Sequence, residues 1–520
     1  MPGLDPQIID QLNPKLAVGR IKTDIHTDFI LAPHYSAVYE HAADDLWEVT
    51  RRQLRSGAYE PELPITIDVP KRNGLTRPGS ILSPSDRLIY QAIVDLIAPA
   101  AESEIDRTRV FSNVLFKRDP EFQMFEPNHI WWPKFQKAIN KNCSDHRFSY
   151  VIKGDIANYF ERIYQHLLIN LLHGSGCDSK AVTFLERLLS AFMEKDSHGI
   201  IQGIFPSDFL GNFGMCGVDA DLEDRGISFV RFVDDLYLFF PSLDSARKGL
   251  VDLCRTLRNE GLHLNESKSE IVKTADLLHQ ETELDRMFNE ARQEAEDSLE
   301  MTEMYGFQTF WKSEDEEATE EDIELQAVEK LYEQVITVGD TQAEKIERFC
   351  LPMLSATGSE TAIERSLKGI SERPYLSQMY CSYLTRFAGS NADIVRGLES
   401  LIRKGEVIFD WQLMWPVAAL IGAKNVSPRT VSAAFGLLRT PIRSIALRAL
   451  CALLIAKHGT AGQRHNLRNH YSEEASPYVR GSILFSSRYF PAPERNTCLS
   501  TWRGHSPMNT LIAQAVKALQ

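Results

Sequence analysis

Two adjacent carboxylates, Asp234 and Asp235, interrupt an apolar and aromatic run at residues 229–240. Ionised side chains set among Phe and Val are unfavourable unless a cation offsets their charge. A divalent metal would provide that charge, and a tight turn between two strands would present the hard oxygen ligands that Mg²⁺ takes in proteins. The pattern is also consistent with an ordinary Asp-rich hairpin turn at the protein surface.

A second run with strand character, at residues 150–154, leads to another carboxylate, Asp155. Two strands that each end in Asp can bring three carboxylates together. Such a group suits two-metal phosphoryl transfer, in which cations about 4 Å apart activate the attacking hydroxyl and hold the leaving pyrophosphate. The sequence therefore predicts a metal site at Asp155, Asp234 and Asp235, with two Mg²⁺ ions and with Mn²⁺ as a substitute.

The same carboxylates fall within a series of five motifs. These resemble, in chain order, the fingers and palm motifs of bacterial and intron-type reverse transcriptases, at residues 71–78 with 85–90, 155–160, 202–207, 232–235 and 261–268. An aromatic residue, Phe160, follows Asp155 by five positions, as in the first palm motif of that family. Each stretch alone is common, whereas the five together in this order are specific.

The resemblance implies roles for residues beyond the three catalytic, metal-binding carboxylates. Lys71 and Arg77 would contact the triphosphate of the incoming nucleotide, a task that suits their charges. Gln202 would contact its ribose and base edge. Phe160 would lie beneath the sugar and reject a 2′-hydroxyl, which implies DNA synthesis. Lys268 would act as the general acid that protonates the leaving pyrophosphate.

Ordinary structural interpretations exist for the same residues. Cations in loops, such as Lys71, Arg77 and Lys268, are commonly just exposed to solvent. Phe160 can pack the palm interior, and its neighbour Tyr159 is an alternative for the steric role. The resemblance, and no single residue, favours the catalytic interpretation.

Length and composition bound the remaining possibilities. A chain of 520 residues is too long for one ordinary domain and predicts two or three. No uncharged apolar run approaches the ~18 residues of a membrane-spanning helix, and the start of the chain lacks a secretion signal. The eight cysteines show no metal-binding spacing. We therefore expect no membrane association and a location in the reducing cytoplasm.

The net charge of −14 is unusual for a protein that handles nucleic acid. The excess is local, because residues 281–324 contain seventeen acidic and three basic residues. The rest of the chain is close to neutral, which leaves its basic residues available to line a channel. The acidic segment is typical of a solvated helical connector; the functional alternative is a barrier that repels nucleic acid.

Beyond this segment the sequence predicts repeated amphipathic helices separated by Pro and Gly. The predicted helices are 327–336, 343–354, 375–387, 392–403, 411–421, 429–438, 442–457 and 511–519. Their spacing favours irregular HEAT-like helix pairs, although no clean sequence period is present. The predicted fold is thus an α+β polymerase palm and fingers at 1–280, an acidic helical connector at 281–324, and an all-α HEAT-like repeat domain at 325–520 that replaces a thumb.

A palm and fingers followed by such a domain resemble the abortive-infection reverse transcriptases of bacteria and their prophages. That resemblance implies anti-phage defence in the bacterial cytoplasm and DNA synthesis from dNTPs without a nucleic-acid template. It also implies priming from a tyrosine, a single-stranded DNA product covalently attached to the protein, and a homo-oligomer such as a trimer or hexamer. Nothing in the sequence selects the primer among sixteen tyrosines; Tyr35, Tyr39 and Tyr59 are candidates for a mobile position.

Two other functions remain open from the sequence. One is a templated reverse transcriptase of retron or group II intron type that acts on a dedicated RNA. The other is a non-catalytic oligomeric scaffold that has kept the palm. The presence of all three carboxylates, the steric aromatic residue and Gln202 disfavours the scaffold.

Overall fold

The structure, a computed structural model, describes residues 4–117, 122–194, 196–278, 291, 320–336, 339–405 and 407–519. Most of the predicted acidic connector at 281–324 lies outside these residues. Two compact units make up the chain. Unit 1 comprises Met1–Ile67, Pro78–His279 and Arg480–Gln520, and unit 2 comprises Asp68–Arg77 and Gln280–Val479. The predicted domain limits at 280 and 325 stay predictions, because a division into compact units does not show which segments fold independently.

The first part of the chain is helical and then forms a two-stranded sheet. Its elements are α1 (Pro6–Gln11), α2 (Pro14–Asp24), α3 (Pro33–His41), α4 (Ala43–Ser56), β1 (Ile65–Pro70), β2 (Thr76–Ile81) and α5 (Pro84–Glu102). Proline opens α1, α2, α3 and α5, a position at which its fixed φ and missing N–H are tolerated. The tight connection between β1 and β2 closes with Gly74 at φ +81°.

A four-stranded antiparallel sheet forms the centre of unit 1. Its strands are β3 (Tyr150–Asp155), β4 (Ser228–Phe232), β5 (Asp235–Phe240) and β6 (Glu270–Lys273), in the order β4-β5-β3-β6. The connecting helices are α6 (Asn128–Cys143), α7 (Tyr159–Arg162), α8 (Gln165–Gly174), α9 (Ser179–Phe192), α10 (Phe205–Gly214), α11 (Cys216–Asp224), α12 (Leu243–Asn259) and α13 (Thr274–Leu278).

Apolar residues fix one face of this sheet against helix α6. Phe135 and Ile139 of α6 pack on Val151 of β3, Val230 of β4 and Phe239 of β5, and all five are buried. These side chains alternate along the strands with residues of the opposite face, the period expected of a pleated sheet. This packing buries one face of the sheet against α6.

The described residues of unit 2 beyond the hairpin tip at 68–77 are mainly helical. Its helices are α14 (Glu320–Glu333), α15 (Asp340–Thr357), α16 (Ile363–Glu372), α17 (Ser377–Phe387), α18 (Ala392–Lys404), α19 (Asp410–Gly422), α20 (Pro428–Leu438), α21 (Ile445–His458) and α22 (Ala461–Glu473), and α23 (Pro477–Ser486) begins in it.

Alternate helices of unit 2 pack on one another. Helices α15, α17, α19 and α21 contact each other in succession, and α16, α18 and α20 form a second row of contacts. Consecutive helices also contact, as α20 does α21. Stacked helix pairs produce this pattern, because each pair buries its apolar faces against the next.

Unit 1 also includes the last part of the chain. Helices α24 (Ala492–Trp502) and α25 (Pro507–Ala518) follow α23, and α25 packs on α3. Helix α25 also contacts α4, where Gln514 Nε2 donates to Asp45 Oδ2 at 3.1 Å. The predicted fold class is confirmed, with an antiparallel sheet and helices in the N-terminal half followed by an all-helical region. None of the described helices combines the length and the apolarity that a bilayer crossing needs.

Candidate active site

The paired aspartates lie at a tight turn between β4 and β5. Phe232, the last residue of β4, pairs with Asp235, the first residue of β5, so only Val233 and Asp234 form the turn. In the neighbouring strand, Asp155 is the last residue of β3 and stands directly opposite Asp235. The antiparallel register therefore brings all three predicted carboxylates to the same end of the two central strands.

The charges of the neighbouring carboxylates affect the pKa values of Asp234 and Asp235. Burial, together with the charges of Asp235 and Asp155, raises the pKa of Asp234 to about 6 against the opposing effect of Lys268. The pKa of Asp235 is also raised, first by burial and then by Asp155. The negative charge of Asp155 thus disfavours ionisation of both Asp234 and Asp235, as expected of neighbouring like charges.

Asp155 has polar partners on both oxygens. Lys268 Nζ lies 3.2 Å from Oδ1, and Asn265 Nδ2 donates to Oδ2 at 2.9 Å. The Asp155 backbone N–H donates to Ser269 Oγ at 3.2 Å. The Asp155 side chain is 17% exposed and that of Lys268 is 65% exposed. The predicted general acid therefore touches the predicted metal ligand, through an ion pair that solvent can reach.

The donor set fits a hard divalent cation. Mg²⁺ takes one or two carboxylates and completes its shell with water and substrate phosphates. Three mutually repelling carboxylates gain from such a charge. Within the described parts of the chain, no group of three or more His, Cys, Asp or Glu side chains is arranged to hold a metal ion. A cation at Asp155, Asp234 and Asp235 would need further ligands from water and substrate phosphates.

A buried polar network, which the sequence analysis missed, supports the turn from below. Arg231 is fully buried in β4 and donates to both carboxylate oxygens of Asp219 and to Asn212 Oδ1. Its Nη1 also donates to the Val233 carbonyl at 2.9 Å, and the Val233 N–H donates to Ser112 Oγ at 2.8 Å. A charged residue within an apolar strand was the available sequence signal, because a buried guanidinium requires partners.

Phe160 lies in the short helix α7, just after β3. Its ring packs against Gly211 of α10, where a Cβ atom would come within 2.8 Å of Phe160 Cε1. Tyr159 is buried, and its hydroxyl donates to the Gly211 carbonyl at 2.5 Å. The half-buried Phe160 and not Tyr159 therefore remains available for the steric role, since Tyr159 is committed to the interior.

Gln202 lies in the loop that leads into α10. Two glycines with positive φ flank it, Gly199 at +87° and Gly203 at +84°. The N–H of Phe205, the first residue of α10, donates to Asp24 Oδ2 at 2.9 Å. The loop is thus fixed at its end by a residue of the N-terminal segment, which no sequence motif indicated.

Lys71 and Arg77, the predicted triphosphate contacts, belong to unit 2. Lys71 follows β1 and Arg77 lies in β2, within the part of the hairpin that belongs to unit 2. Arg72, between them, forms an ion pair with Glu344 of α15, with Nε 3.7 Å from Oε2. The carboxylates, Lys268, Phe160 and Gln202 belong to unit 1.

Comparisons with known proteins agree with the polymerase-like part of the chain. Residues 69–297 match the family model described as reverse transcriptase (RNA-dependent DNA polymerase), which is less than half of the chain. This segment is a reverse transcriptase-like nucleotidyltransferase domain, and enzymes of this family use divalent metals. All the predicted site residues lie within it.

Two individual proteins are similar to this chain. Protein YkfC of Escherichia coli (strain K12) is 27% identical over 187 residues, which are 35% of this chain and 46% of the relative. The match thus spans about half the length of that relative. The structure of apo telomerase from Candida tropicalis aligns with 91% of this chain and 73% of its own, at 9% identity and a TM-score of 0.32.

Proposed function

We propose that this chain is a DNA polymerase that joins deoxynucleotides at Asp155, Asp234 and Asp235. One observation carries the proposal: the strand register sets Asp155 directly opposite Asp235, beside the turn that holds Asp234. The raised pKa of Asp234 supports it, because the carboxylates are close enough to repel one another. Carboxylates grouped in this way are suited to binding cations and phosphates.

Asp155 and Asp234 would hold two Mg²⁺ ions, or Mn²⁺ in their place, and Asp235 would assist. When bound, such ions lower the pKa of the attacking hydroxyl and neutralise charge on the transferred phosphoryl group. Lys268, which pairs with Asp155, would give a proton to the leaving pyrophosphate. To do so its ammonium group must turn from the carboxylate toward the phosphate, and its high exposure permits that motion.

Nucleotide selection is assigned to the remaining predicted residues. Phe160, held by Gly211, would exclude a 2′-hydroxyl, and Gln202 would contact the ribose and base edge. Lys71 and Arg77 would bind the triphosphate. A direct test is Phe160→Ala, which is expected to admit ribonucleotides while it leaves dNTP incorporation measurable; unchanged discrimination against ribonucleotides contradicts the assignment.

For the mode of synthesis we favour untemplated, protein-primed polymerisation in cytoplasmic phage defence, by a homo-oligomer such as a trimer or hexamer. The product would be single-stranded DNA attached to the protein. The resemblance to abortive-infection enzymes motivates this choice, and the alternate packing of helices in unit 2 supports the HEAT-like interpretation on which that resemblance partly rests.

The three tyrosines considered as primers are poorly suited to that role. Tyr35 and Tyr39 lie in helix α3, Tyr59 donates to Asp86 Oδ1 at 2.6 Å, and all three are buried. Burial raises the pKa values of Tyr39 and Tyr59, which disfavours the phenolate that would attack a nucleotide. The primer in this proposal is therefore another tyrosine.

RNA-templated DNA synthesis is the second candidate function. The description of the matching family, an RNA-dependent DNA polymerase, favours it. The two modes differ in what must be added to the purified protein before a product forms, so one experiment separates them.

The test incubates the purified protein with Mg²⁺ and each labelled dNTP, first alone and then with an RNA template and primer. Products are analysed on denaturing gels before and after protease and nuclease treatment, beside the Asp155→Asn and Asp234→Asn variants. Asp145→Asn is the matched control, because that carboxylate pairs with Arg147 away from the site.

Label that stays with the protein, grows into a DNA ladder and is lost in the Asp155 and Asp234 variants would support untemplated, protein-primed synthesis. Product that requires template and primer would support the RNA-templated enzyme. Synthesis retained by either variant contradicts the assignment of the site. If no product forms under any condition, the non-catalytic scaffold is the remaining interpretation.

A further inference from the structure

The N-terminal segment that ends α2, Asp24–Phe29, grips the Gln202 loop at two points. Phe205 N–H donates to Asp24 Oδ2 at 2.9 Å. At the other end of the same segment, the Phe29 ring lies against Gly203, where an added Cβ would meet Phe29 Cε2 at 2.9 Å. The two contacts bracket the loop immediately after Gln202, one on its backbone and one at the start of α10.

Asp24 acts as a cap for α10 from a distant part of the chain. The first N–H groups of a helix have no intrahelical acceptor and are usually satisfied by a side chain at the N-cap position. Here the N-cap residue is Ile204, which has no acceptor. Asp24 supplies the missing oxygen across 181 residues of sequence, and it is itself only 2% exposed.

Arg87 of α5 fixes the carboxylate that does this capping. Arg87 Nη2 donates to Asp24 Oδ2 at 3.0 Å and to Asp28 Oδ1 at 2.9 Å, and all three residues are buried. Asp28 and Asp24 together keep the guanidinium charged, since both raise its pKa. Such a closed ionic group leaves Asp24 little freedom to turn away from Phe205.

The grip on the Gln202 loop and the support of the aspartate turn use different residues. Ser112 and Arg231 bind Val233, whereas Asp24 and Phe29 contact Phe205 and Gly203. Asn212 of α10 bonds to both Ser112 and Arg231, so α10 joins the two supports at its far end. A change in the Phe29 side chain, which lies at Gly203, should therefore displace Gln202 more than the carboxylates.

We propose that Asp24 and Phe29 are positioning residues that set the affinity for the incoming deoxynucleotide by fixing the Gln202 loop. The inference rests on the proposed polymerase function and identifies where its nucleotide affinity is controlled. Neither residue touches the reacting atoms, so both act through Gln202 and its backbone.

The kinetic test compares Phe29→Ala, Phe29→Leu and Phe148→Ala in dNTP incorporation. Phe29→Ala is expected to raise KM for dNTP roughly three- to tenfold, the worth of about one hydrogen bond, with kcat within about twofold. Phe29→Leu retains an apolar side chain beside Gly203 and is expected to restore most of the affinity. Phe148 is an equally half-buried aromatic residue that packs on Phe239, and its removal should leave KM unchanged.

A second measurement does not depend on turnover. Hydrogen exchange of the peptide containing Phe205 is followed in the wild type, Asp24→Ala and Asp24→Asn. Because Asp24 is the acceptor for this amide, its exchange should accelerate in Asp24→Ala, and the amide oxygen of Asp24→Asn should preserve part of the protection. Addition of dNTP with Ca²⁺, which supports binding without transfer, should slow exchange across 199–205 in the wild type and less so in Phe29→Ala.

The outcomes separate this inference from the function on which it rests. Unchanged KM and unchanged exchange in the Asp24 and Phe29 variants of an active enzyme overturn the inference and leave the polymerase intact. A fall in kcat equal to the change in kcat/KM would also overturn it, because that result places the defect in chemistry. A wild type that neither incorporates dNTP nor shows protection of 199–205 refutes both.

Discussion

The turn at Val233 and the loop at Gly203 solve the same backbone problem in different ways. Both place a predicted site residue beside a left-handed position, with φ +54° at Val233 and +84° at Gly203. Glycine adopts that conformation freely, whereas a β-branched residue does so at a cost of about 1–2 kcal/mol. The Gly203 loop adopts its conformation without strain and is contacted by the Phe29 side chain. The Val233 turn is strained, and hydrogen bonds hold both its N–H and its carbonyl.

The difference indicates which turn must be rigid. A strained conformation persists only where its surroundings leave the chain no alternative. Arg231 and Ser112 bind the carbonyl and the N–H of Val233 and so fix the backbone from which Asp234 and Asp235 extend. The Gly203 loop bears no such strain, and Asp24 and Phe29 fix it without opposing a backbone preference.

Among the variants that test this comparison, Arg231→Met should cause the largest loss in the free energy of unfolding. Arg231→Met leaves Asp219 and Asn212 buried without their charged partner, and we expect a loss of about 3–5 kcal/mol in the free energy of unfolding. Urea denaturation measures it, and dNTP incorporation should fall as well. The control is Arg225→Met, whose exposed pair with Asp221 is expected to contribute about 1 kcal/mol or less. Equal losses in the two variants would contradict a structural role for the network.

Ser112→Ala tests the other half of the same support. The substitution leaves the Val233 N–H without its acceptor, which should cost about 1–3 kcal/mol of folding free energy. Ser103→Ala removes a hydroxyl that is more exposed and bonds within its own helix end, and it should change stability by about 0.5 kcal/mol or less. A loss in Ser112→Ala no greater than that of the control would show that water replaces the hydroxyl.

Gly203→Ala measures the second turn. Alanine meets both the left-handed strain of about 1–2 kcal/mol and the Phe29 ring. Gly226 has φ +67° and nothing within 4 Å of an added Cβ, so Gly226→Ala reports the strain alone. Urea denaturation of the two variants should show the larger loss at Gly203, and Phe29→Leu should reduce the excess. No excess would mean that Phe29 moves aside freely.

Val233→Asn should give the smallest effect, with the opposite sign. Asn tolerates the left-handed region better than a β-branched residue, so we expect a gain of up to about 1 kcal/mol in the free energy of unfolding. A loss of stability, measured by the same urea titration, would show that the Val233 side chain contributes more through packing than it costs in strain.

The fold was predictable where the signal is local. The aspartates, their strands and the loop at Gln202 follow from short motifs, and most helices of unit 2 follow from amphipathic spacing. Helix 327–336 was predicted, whereas α14 covers Glu320–Glu333 and a 3-10 turn continues to Ile336. Helices such as α16 and α22 were not predicted.

The supporting contacts were not predictable for a different reason. Ser112 and Asn212 are 100 residues apart, and Asp24 and Phe205 are 181 apart. Isolated polar residues show no periodicity, so nothing in the sequence indicates which distant partner each one meets. The burial of Tyr35 and Tyr39 in α3 was likewise not indicated by any local pattern.

The packing of α25 on α3 has a consequence for how the protein is made. A ribosome releases residues 33–41 long before residues 507–518, and the whole of the helical region is synthesised between them. Until then the surface of α3 that α25 covers stays uncovered, and nascent chains with exposed apolar surface are prone to aggregate or to recruit chaperones. Unit 1 therefore completes its fold only after residues 507–518 have been synthesised.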